Sequence, residues 1–434
     1  METNTRLTEH FRRTGWLATS EAALLQWIKD VVSEVLTGRR RNETLLPVIR
    51  EFQTLIETNS ELYMGFNQMF EQQPPSSLLA AIPNYQTMLK VFNKLIQEAP
   101  FYGPIGPPFY MILNAAMNTP GGWSAFLNDQ LNAQFKRMFD VWAKFLVSPN
   151  SCYVLTSAPG GWFSSPALTA LTENFDGLRF EQIFESDPNA EYWGYKSWDD
   201  FFVRTFQPGV RTLQAADNPN IINAACESQL YHIARNVQER DTFWLKGEPY
   251  SLLNMLNQDE AAPQFIGGTV FQGFLSVTGY HRWHAPVTGV VRKIVHVPGT
   301  YFVQSPATLG QSDNPYLRSL AFITSLTTRL LIFIEADDPR VGLMCFIAVG
   351  MTEVSTCEAT VAEGKRVQRG DELGMFHFGG STHVLVFRPQ TNLQFFDNVD
   401  TPGDMVEVRG ALAGVLDVPL VHVQQTLQSL SGSL

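Results

Sequence analysis

The chain has 434 residues, of which 44% are hydrophobic and 17% charged, and its formal net charge is -11. That balance suits a globular protein of one large or two smaller domains with a sizeable buried core. Nucleic acid and stable membrane association are not expected, because both need clustered Lys and Arg, and the one basic cluster, Arg39-Arg40-Arg41, is short enough to be the solvated end of a helix.

The opening METNTRLTEHFRRTGW lacks the apolar stretch of a secretory signal, and no uninterrupted run of about 20 apolar residues suggests a membrane span. Ser20 stands where it can cap a helix over residues 22–37, in which Leu24, Trp27, Ile28, Val31 and Val35 recur at three- and four-residue steps. Residues 85–96 repeat the pattern with Met88, Leu89, Phe92, Leu95 and Ile96, and residues 131–146 do so with Phe135, Met138, Phe139, Trp142 and Phe145. Pro and Gly break the helical text at residues 100–108 and at Pro120-Gly121-Gly122. The aromatic stripes read as core rather than ligand contacts. A loop-rich stretch follows Pro149, and from Ile221 short Val-, Ile- and Phe-rich runs between turn residues read as strands, among them Leu330-Leu331-Ile332-Phe333-Ile334. The expected class is α+β: a helical domain over 1–150, a connecting segment over 151–196 and a β-rich domain over 197–434.

Two stretches echo one another. APVTGVVRKIVHVPGTYF places a strand between Gly289 and Gly299, and EGKRVQRGDELGMF carries Gly364, Val367, Gly370 and Gly374. Both resemble the half-motifs of lipoyl-type barrel-sandwich domains, but the exposed hairpin with its modified Lys is missing, so a swinging-arm carrier is not expected. Cys152, Cys226, Cys345 and Cys357 are scattered without CxxC spacing, which argues against a disulfide framework or zinc site and for a reducing, cytoplasmic home.

Three places carry groups suited to chemistry. In His377-Phe378-Gly379-Gly380-Ser381-Thr382-His383, two glycines let the backbone bend before a hydroxyl residue. Ser381 can there attack the carbonyl of Gly380, turning an amide into an ester. Elimination then leaves a dehydroalanine, which hydrolyses to a pyruvoyl group at a new N-terminus. Taken alone, the segment reads more simply as a Gly-Gly turn with a surface Ser. In Tyr280-His281-Arg282-Trp283-His284-Ala285-Pro286, two histidines three apart share a face on a helical turn but point oppositely on a strand. On a turn both can move protons at one site; otherwise the segment is a packed aromatic turn. In Ala224-Ala225-Cys226-Glu227-Ser228, Glu227 either orients a histidine or ends a strand at the surface.

Together these places resemble the phosphatidylserine decarboxylase family, and the ordered landmarks run from about Ser197 to Phe387. WDDFFVRTFQPGVR resembles its Phe-Phe-x-Arg segment, WLKGEPYSLLNML its Lys-Gly-x-x-Tyr-Ser-Leu segment and GYHRWHAPVTG its Tyr-His-Arg-x-His-x-Pro segment. Arg329 falls where the family has an Arg after Asn-Glu, here replaced by Thr327-Thr328, and VGMTEVST and GDELGMFHFGGST complete the series. The resemblance implies cleavage between Gly380 and Ser381 into chains of residues 1–380 and 381–434 that stay associated. Ser381 becomes the pyruvoyl cofactor, His284 matches the base for self-cleavage and His281 the residue assisting decarboxylation or reprotonation. Glu227 sits where the family has Asp, a longer carboxylate whose backbone must stand further off. A pyruvoyl ketone takes the substrate's α-amine and accepts the electrons left by carbon dioxide.

NAACES, IEADDP, TCEATVAEG, GPPFYMI and the helical first third are more similar to the soluble fungal aromatic-amino-acid decarboxylases within this family. That implies an aromatic L-amino acid as substrate, L-tryptophan giving tryptamine above all. Phosphatidylserine is the alternative substrate. A serine hydrolase using Ser381 is a further alternative, and it lacks the GxSxG elbow. Trp283, Tyr280 and Phe378 lie near the catalytic positions and read as packing.

Overall fold

The computed structural model describes residues 11–12, 15–73, 81–103, 105–240, 250–310, 316–353, 355–378 and 381–417. Its first third is helical: α1 (Glu21–Leu36), α2 (Pro47–Thr58), α3 (Ser60–Glu71), α4 (Tyr85–Leu95), α5 (Pro108–Met117), α6 (Pro120–Phe126) and α7 (Asp129–Leu146). Ser20 caps α1 by accepting from the Ala23 amide at 3.1 Å, and α1 buries Ile28, Val31 and Val35. The stripe expected over 131–146 is the buried face of α7, with Phe135, Met138, Phe139 and Trp142 inside. Pro108 and Pro120 start helices where breaks were expected. At a first helical position the missing proline N–H would have had no partner in any case, and the Thr119 side chain accepts from the Gly122 amide at 3.0 Å.

Shorter helices α8 (Ser165–Thr172), α9 (Phe180–Ile183) and α10 (Trp198–Phe202) lead to the strands. These are β1 (Ile221–Asn223), β2 (Ser228–Arg235), β3 (Thr269–Phe274), β4 (Arg282–His284), β5 (Gly289–Val297), β6 (Arg329–Ala336), β7 (Leu343–Val349), β8 (Thr356–Ala359), β9 (Arg366–Val367), β10 (Glu372–His377), β11 (Thr382–Phe387), β12 (Leu393–Phe395), β13 (Met405–Val406) and β14 (Ala411–Val415). The main sheet is antiparallel in the order β13-β2-β3-β11-β7-β6-β5-β9, flanked by the three-stranded sheets β1-β14-β12 and β4-β10-β8. The class is α+β. The two stretches that echo one another in sequence are paired: Gly289 of β5 stands opposite Val367 of β9.

The apolar run in β6 is continuous because both faces of the sheet are covered. Leu330, Ile332 and Ile334 face one cluster with Phe346 and Leu385, and Leu331 and Phe333 face another with Ile347 and Val384. A third cluster joins the helices to the strand-bearing part, where Phe135 of α7 meets Phe302 with ring centroids 4.8 Å apart. No helix among the described residues is long and apolar enough to cross a membrane.

Candidate active site at the turn between β10 and β11

Two chain reversals lie side by side. One leaves β3 at Phe274 and runs through residues 275–281 into β4; the other leaves β10 at His377 and enters β11 after Ser381. The Leu275 amide donates to the Ser381 carbonyl at 2.7 Å, and the Phe376 amide donates to the His281 carbonyl at 3.0 Å. Backbone pairing therefore brings Ser381 and His281 to one place, although they stand 100 residues apart in the chain.

Ser381 is fully buried, and its hydroxyl has no hydrogen-bond partner among the described residues. Leaving a buried hydroxyl unpaired costs about 1–3 kcal/mol, so this orphan marks a position kept for something other than stability. The strand behind it is pinned. The Thr382 hydroxyl donates to the Gly273 carbonyl at 2.8 Å and accepts from Gln272 at 3.0 Å, and Gln272 accepts from the Tyr250 hydroxyl at 2.6 Å. Phe378 holds φ at +75°, a conformation that strains a bulky residue by roughly 1–3 kcal/mol and is found mainly at functional sites. Gly380, the expected cleavage partner, lies outside the described residues, as do residues 244–249 of the WLKGEPYSLLNML segment.

The histidines occupy different surroundings, as the strand geometry of β4 requires. His281 is fully buried, stacks on Phe202 at 4.0 Å between ring centroids, and has no well-formed hydrogen bond at either ring nitrogen. Burial, and then the nearby Arg204 guanidinium, hold its pKa well below the ordinary 6.5, so the ring is neutral at physiological pH. The Arg204 guanidinium donates to the carbonyls of Thr278 at 2.7 Å and Gly279 at 2.8 Å, clamping the turn that delivers His281. The Phe-Phe-x-Arg segment thus supplies both the ring under His281 and the cation that fixes its turn.

His284 is neutral too, its pKa pushed down to about 3 by burial and by Arg409. Its Nδ1 lies 2.9 Å from the Gly370 carbonyl, which can only accept, so Nδ1 carries the proton. Nε2 is then a lone pair, accepting from the Tyr280 hydroxyl at 3.0 Å.

Glu227 is buried, and among the described residues its hydrogen bonds go to Arg211 and Val408 rather than to a histidine. Arg211 grips both its oxygens, with Nη2 to Oε1 at 2.6 Å, and the Val408 amide donates to Oε2 at 2.9 Å. Burial pushes its pKa up while Arg211 holds it down. Burial is the larger effect, so the Glu227 pKa lies above the ordinary carboxylate value despite Arg211.

Sequence reasoning gave no role to Arg211, Gln272 or His383. His383 is buried beside Gly273 with no well-formed hydrogen bond at either ring nitrogen among the described residues, and its proximity to Ser381 in the chain was the available signal. Among the described residues no three His, Cys, Asp or Glu side chains gather as a metal site would need.

Backbone pairing thus sets the buried Ser381 hydroxyl, unpartnered among the described residues, near the His281 turn, whereas the His284 ring bonds Gly370 and Tyr280 and Glu227 bonds Arg211 and Val408. Two family models, both described as phosphatidylserine decarboxylase, match residues 198–412 and 46–171. The chain belongs to the phosphatidylserine decarboxylase family and is a carboxy-lyase. It is 41% identical over 425 residues to the L-tryptophan decarboxylase of Psilocybe cubensis, covering 94% of this chain and 95% of that one. With the L-tryptophan decarboxylase of Psilocybe cyanescens the identity is 43% over 428 residues, at the same coverage of 94% and 95%. Phosphatidylserine decarboxylase proenzyme 3 of Schizosaccharomyces pombe is 31% identical over 243 residues, 56% of this chain and 24% of that one.

Proposed function

We propose that the protein is a self-processing, pyruvoyl-dependent decarboxylase of aromatic L-amino acids, converting L-tryptophan to tryptamine and carbon dioxide. The observation that carries this reading is the fully buried, unpartnered hydroxyl of Ser381 beside the His281 turn. The names and coverage of the Psilocybe relatives support the substrate.

In self-processing, Ser381 Oγ adds to the Gly380 carbonyl carbon as its proton passes to a base, and the C–N bond breaks to leave an ester. Loss of the Ser381 α-proton expels the Gly380 carboxylate and leaves dehydroalanine. Water then replaces its nitrogen, which departs as ammonia, and the remaining chain begins with a pyruvoyl group. His284 is the proposed base: its Nε2 carries no proton and would have to exchange the Tyr280 hydroxyl, from which it accepts, for that of Ser381. A base with a pKa near 3 is weak at neutral pH, which a reaction performed once per molecule tolerates. Ser381 fits the group because no hydrogen bond among the described residues ties its oxygen. A pyruvoyl carbonyl there supplies the electron sink for loss of carbon dioxide from an α-amino acid. His281, held neutral, moves the proton to and from the substrate's α-carbon. β11 lies between β3 and β7 in the sheet, which supports lasting association of the two product chains.

Intact-mass spectrometry of the denatured protein tests the processing. Chains of residues 1–380 and 381–434 are expected, the smaller starting with pyruvoyl, and Ser381→Ala is expected to leave one intact, inactive chain. Wild-type protein of undivided mass would sink the reading. Tryptamine release from L-tryptophan, set against phosphatidylethanolamine release from phosphatidylserine vesicles, decides the substrate.

A further inference from the structure

An aromatic cavity runs between the helical third and the turn at Ser381. Its space, counted out through the open mouth into solvent, is about 530 Å³, of which the enclosed part is about 60 Å³. Trp142 of α7, Trp162, Trp198 of α10 and Phe378 form its wall, with Val277 and Glu353. Both reversals of the candidate centre reach it: Phe378 lies three residues before Ser381, and Val277 two residues after Leu275, whose amide holds the Ser381 carbonyl.

The rings are fixed in place. Trp142 Nε1 donates to the Glu98 carbonyl at 2.8 Å and Trp162 Nε1 to the Pro100 carbonyl at 2.7 Å. These bonds hold the indoles in one orientation, and neighbouring rings pack them, Phe109 and Phe378 against Trp142 and Tyr102 and Phe201 against Trp162, so that only their edges reach the cavity. Two polar groups in the wall are unusual. Trp198 Nε1 is buried without a partner among the described residues. Glu353 is 2% exposed, follows Thr352 held at a φ of +51°, and accepts from the amides of Phe109 at 2.9 Å and Tyr110 at 3.3 Å through Oε1. Its Oε2 has a 3.2 Å contact with the Tyr110 amide and keeps acceptor capacity. Burial pushes the Glu353 pKa up to about 7 against these amides, which lower it, so the carboxyl group exchanges its proton near neutral pH.

We infer that this cavity holds the aromatic side chain of the substrate and that Glu353 is a specificity residue, accepting a hydrogen bond from a ring N–H. The inference rests on the amino-acid decarboxylase reading and adds the place and the recognition chemistry. A pocket built to accept an N–H discriminates against a ring without one, because the acceptor is then left unpaired. The helical third thereby takes a part in selecting the substrate, through Trp142.

The test has two arms. Binding of 3-methylindole, which has the ring and no reacting amino acid, is followed by ligand-observed NMR on wild-type protein and on Val277→Trp, which fills the cavity. Both are compared as protein already split into two chains, so that misfolded material is set aside. Binding to wild type and a loss of roughly tenfold or more in Val277→Trp is expected; equal binding, or none to wild type, overturns the inference. In the second arm, kcat/KM is measured for tryptophan and 1-methyltryptophan, which lacks the ring N–H. Assayed above about pH 7, where Glu353 is ionised, wild type is expected to disfavour the methylated substrate by roughly tenfold or more, with a smaller penalty in Glu353→Gln, whose neutral acceptor bonds more weakly. An identical penalty in both proteins removes Glu353 from recognition. If 3-methylindole binds as expected but no tryptamine forms, the cavity stands and the proposed substrate falls.

Discussion

At the residue scale, burial does most of the chemistry-setting. His281 and His284 are both neutral because water cannot reach them, yet they differ in what they touch: His281 has a ring beneath it and unpaired nitrogens, and His284 has a fixed tautomer. The proposed division of labour between them comes from the family resemblance. His281→Ala is expected to split normally but to lose roughly 10²–10⁴-fold in decarboxylation rate, whereas His284→Ala is expected to remain one chain. A split His281→Ala enzyme at full rate would show the roles to be wrongly divided. For Glu227, the contact with Arg211 predicts a structural cost. Glu227→Gln leaves Arg211 facing a neutral amide and is expected to lower stability by about 3 kcal/mol, the usual cost of breaking a buried pair. The urea midpoint of the unsplit Ser381→Ala protein, with and without Glu227→Gln, measures this, and intact mass reads splitting of Glu227→Gln alone. An unchanged midpoint with blocked splitting would instead make Glu227 a direct partner in processing.

At the element scale, the site depends on contacts between neighbouring pieces of secondary structure. Asp199 of α10 accepts from His377 at 3.0 Å, tying the end of β10 to the helix that carries Phe202, and His377 also meets Glu358 of β8 at 3.1 Å. Burial alone would lower the pKa of His377, but Asp199 and Glu358 outweigh it and hold it above the ordinary 6.5. A raised folded-state pKa means the charged bridge contributes fully below about pH 6.5 and is lost as pH rises through the folded value. Asp199→Asn is therefore expected to cost on the order of 1–2 kcal/mol in acid, with the gap to wild type closing as pH rises above 6.5. Thermal midpoints of both proteins across that range would show it, and a gap that widens with pH would contradict the assignment. Glu353 acts at this scale too, by satisfying amides of α5 that the helix itself leaves unpaired.

For the whole molecule, the helical third and the strand-bearing part share one hydrophobic cluster. Phe109, Phe135 and Trp142 lie in it together with Phe274, Tyr301, Phe302, Tyr316 and Phe378. Cutting between them would expose aromatic surface worth about 1.5–3 kcal/mol for each large side chain uncovered. A chain of residues 197–434 expressed alone is therefore expected to lack fixed aromatic packing, seen as loss of near-ultraviolet circular dichroism, and to fail to split. A well-packed, self-splitting fragment would show that the helical third is dispensable for folding.

Local patterns settled a good deal. The 3.6-residue recurrence of apolar positions located α1, α4 and α7, because a helix that buries one face must repeat at that period. Short β-branched runs after Ile221 marked the strands, and the Gly-Gly-Ser and His-x-x-His segments pointed to the candidate centre. Pro108 and Pro120 misled, since the same residue ends a helix from inside and begins one at its first position. What the tertiary structure alone decided is which distant groups meet. Strand pairing set Ser381 beside the turn carrying His281, Arg211 rather than a histidine took Glu227, and Trp142, read as core in α7, came to line a cavity with Phe378. Periodicity reports which face of an element is buried; what that face is buried against depends on contacts across hundreds of residues that no local pattern encodes.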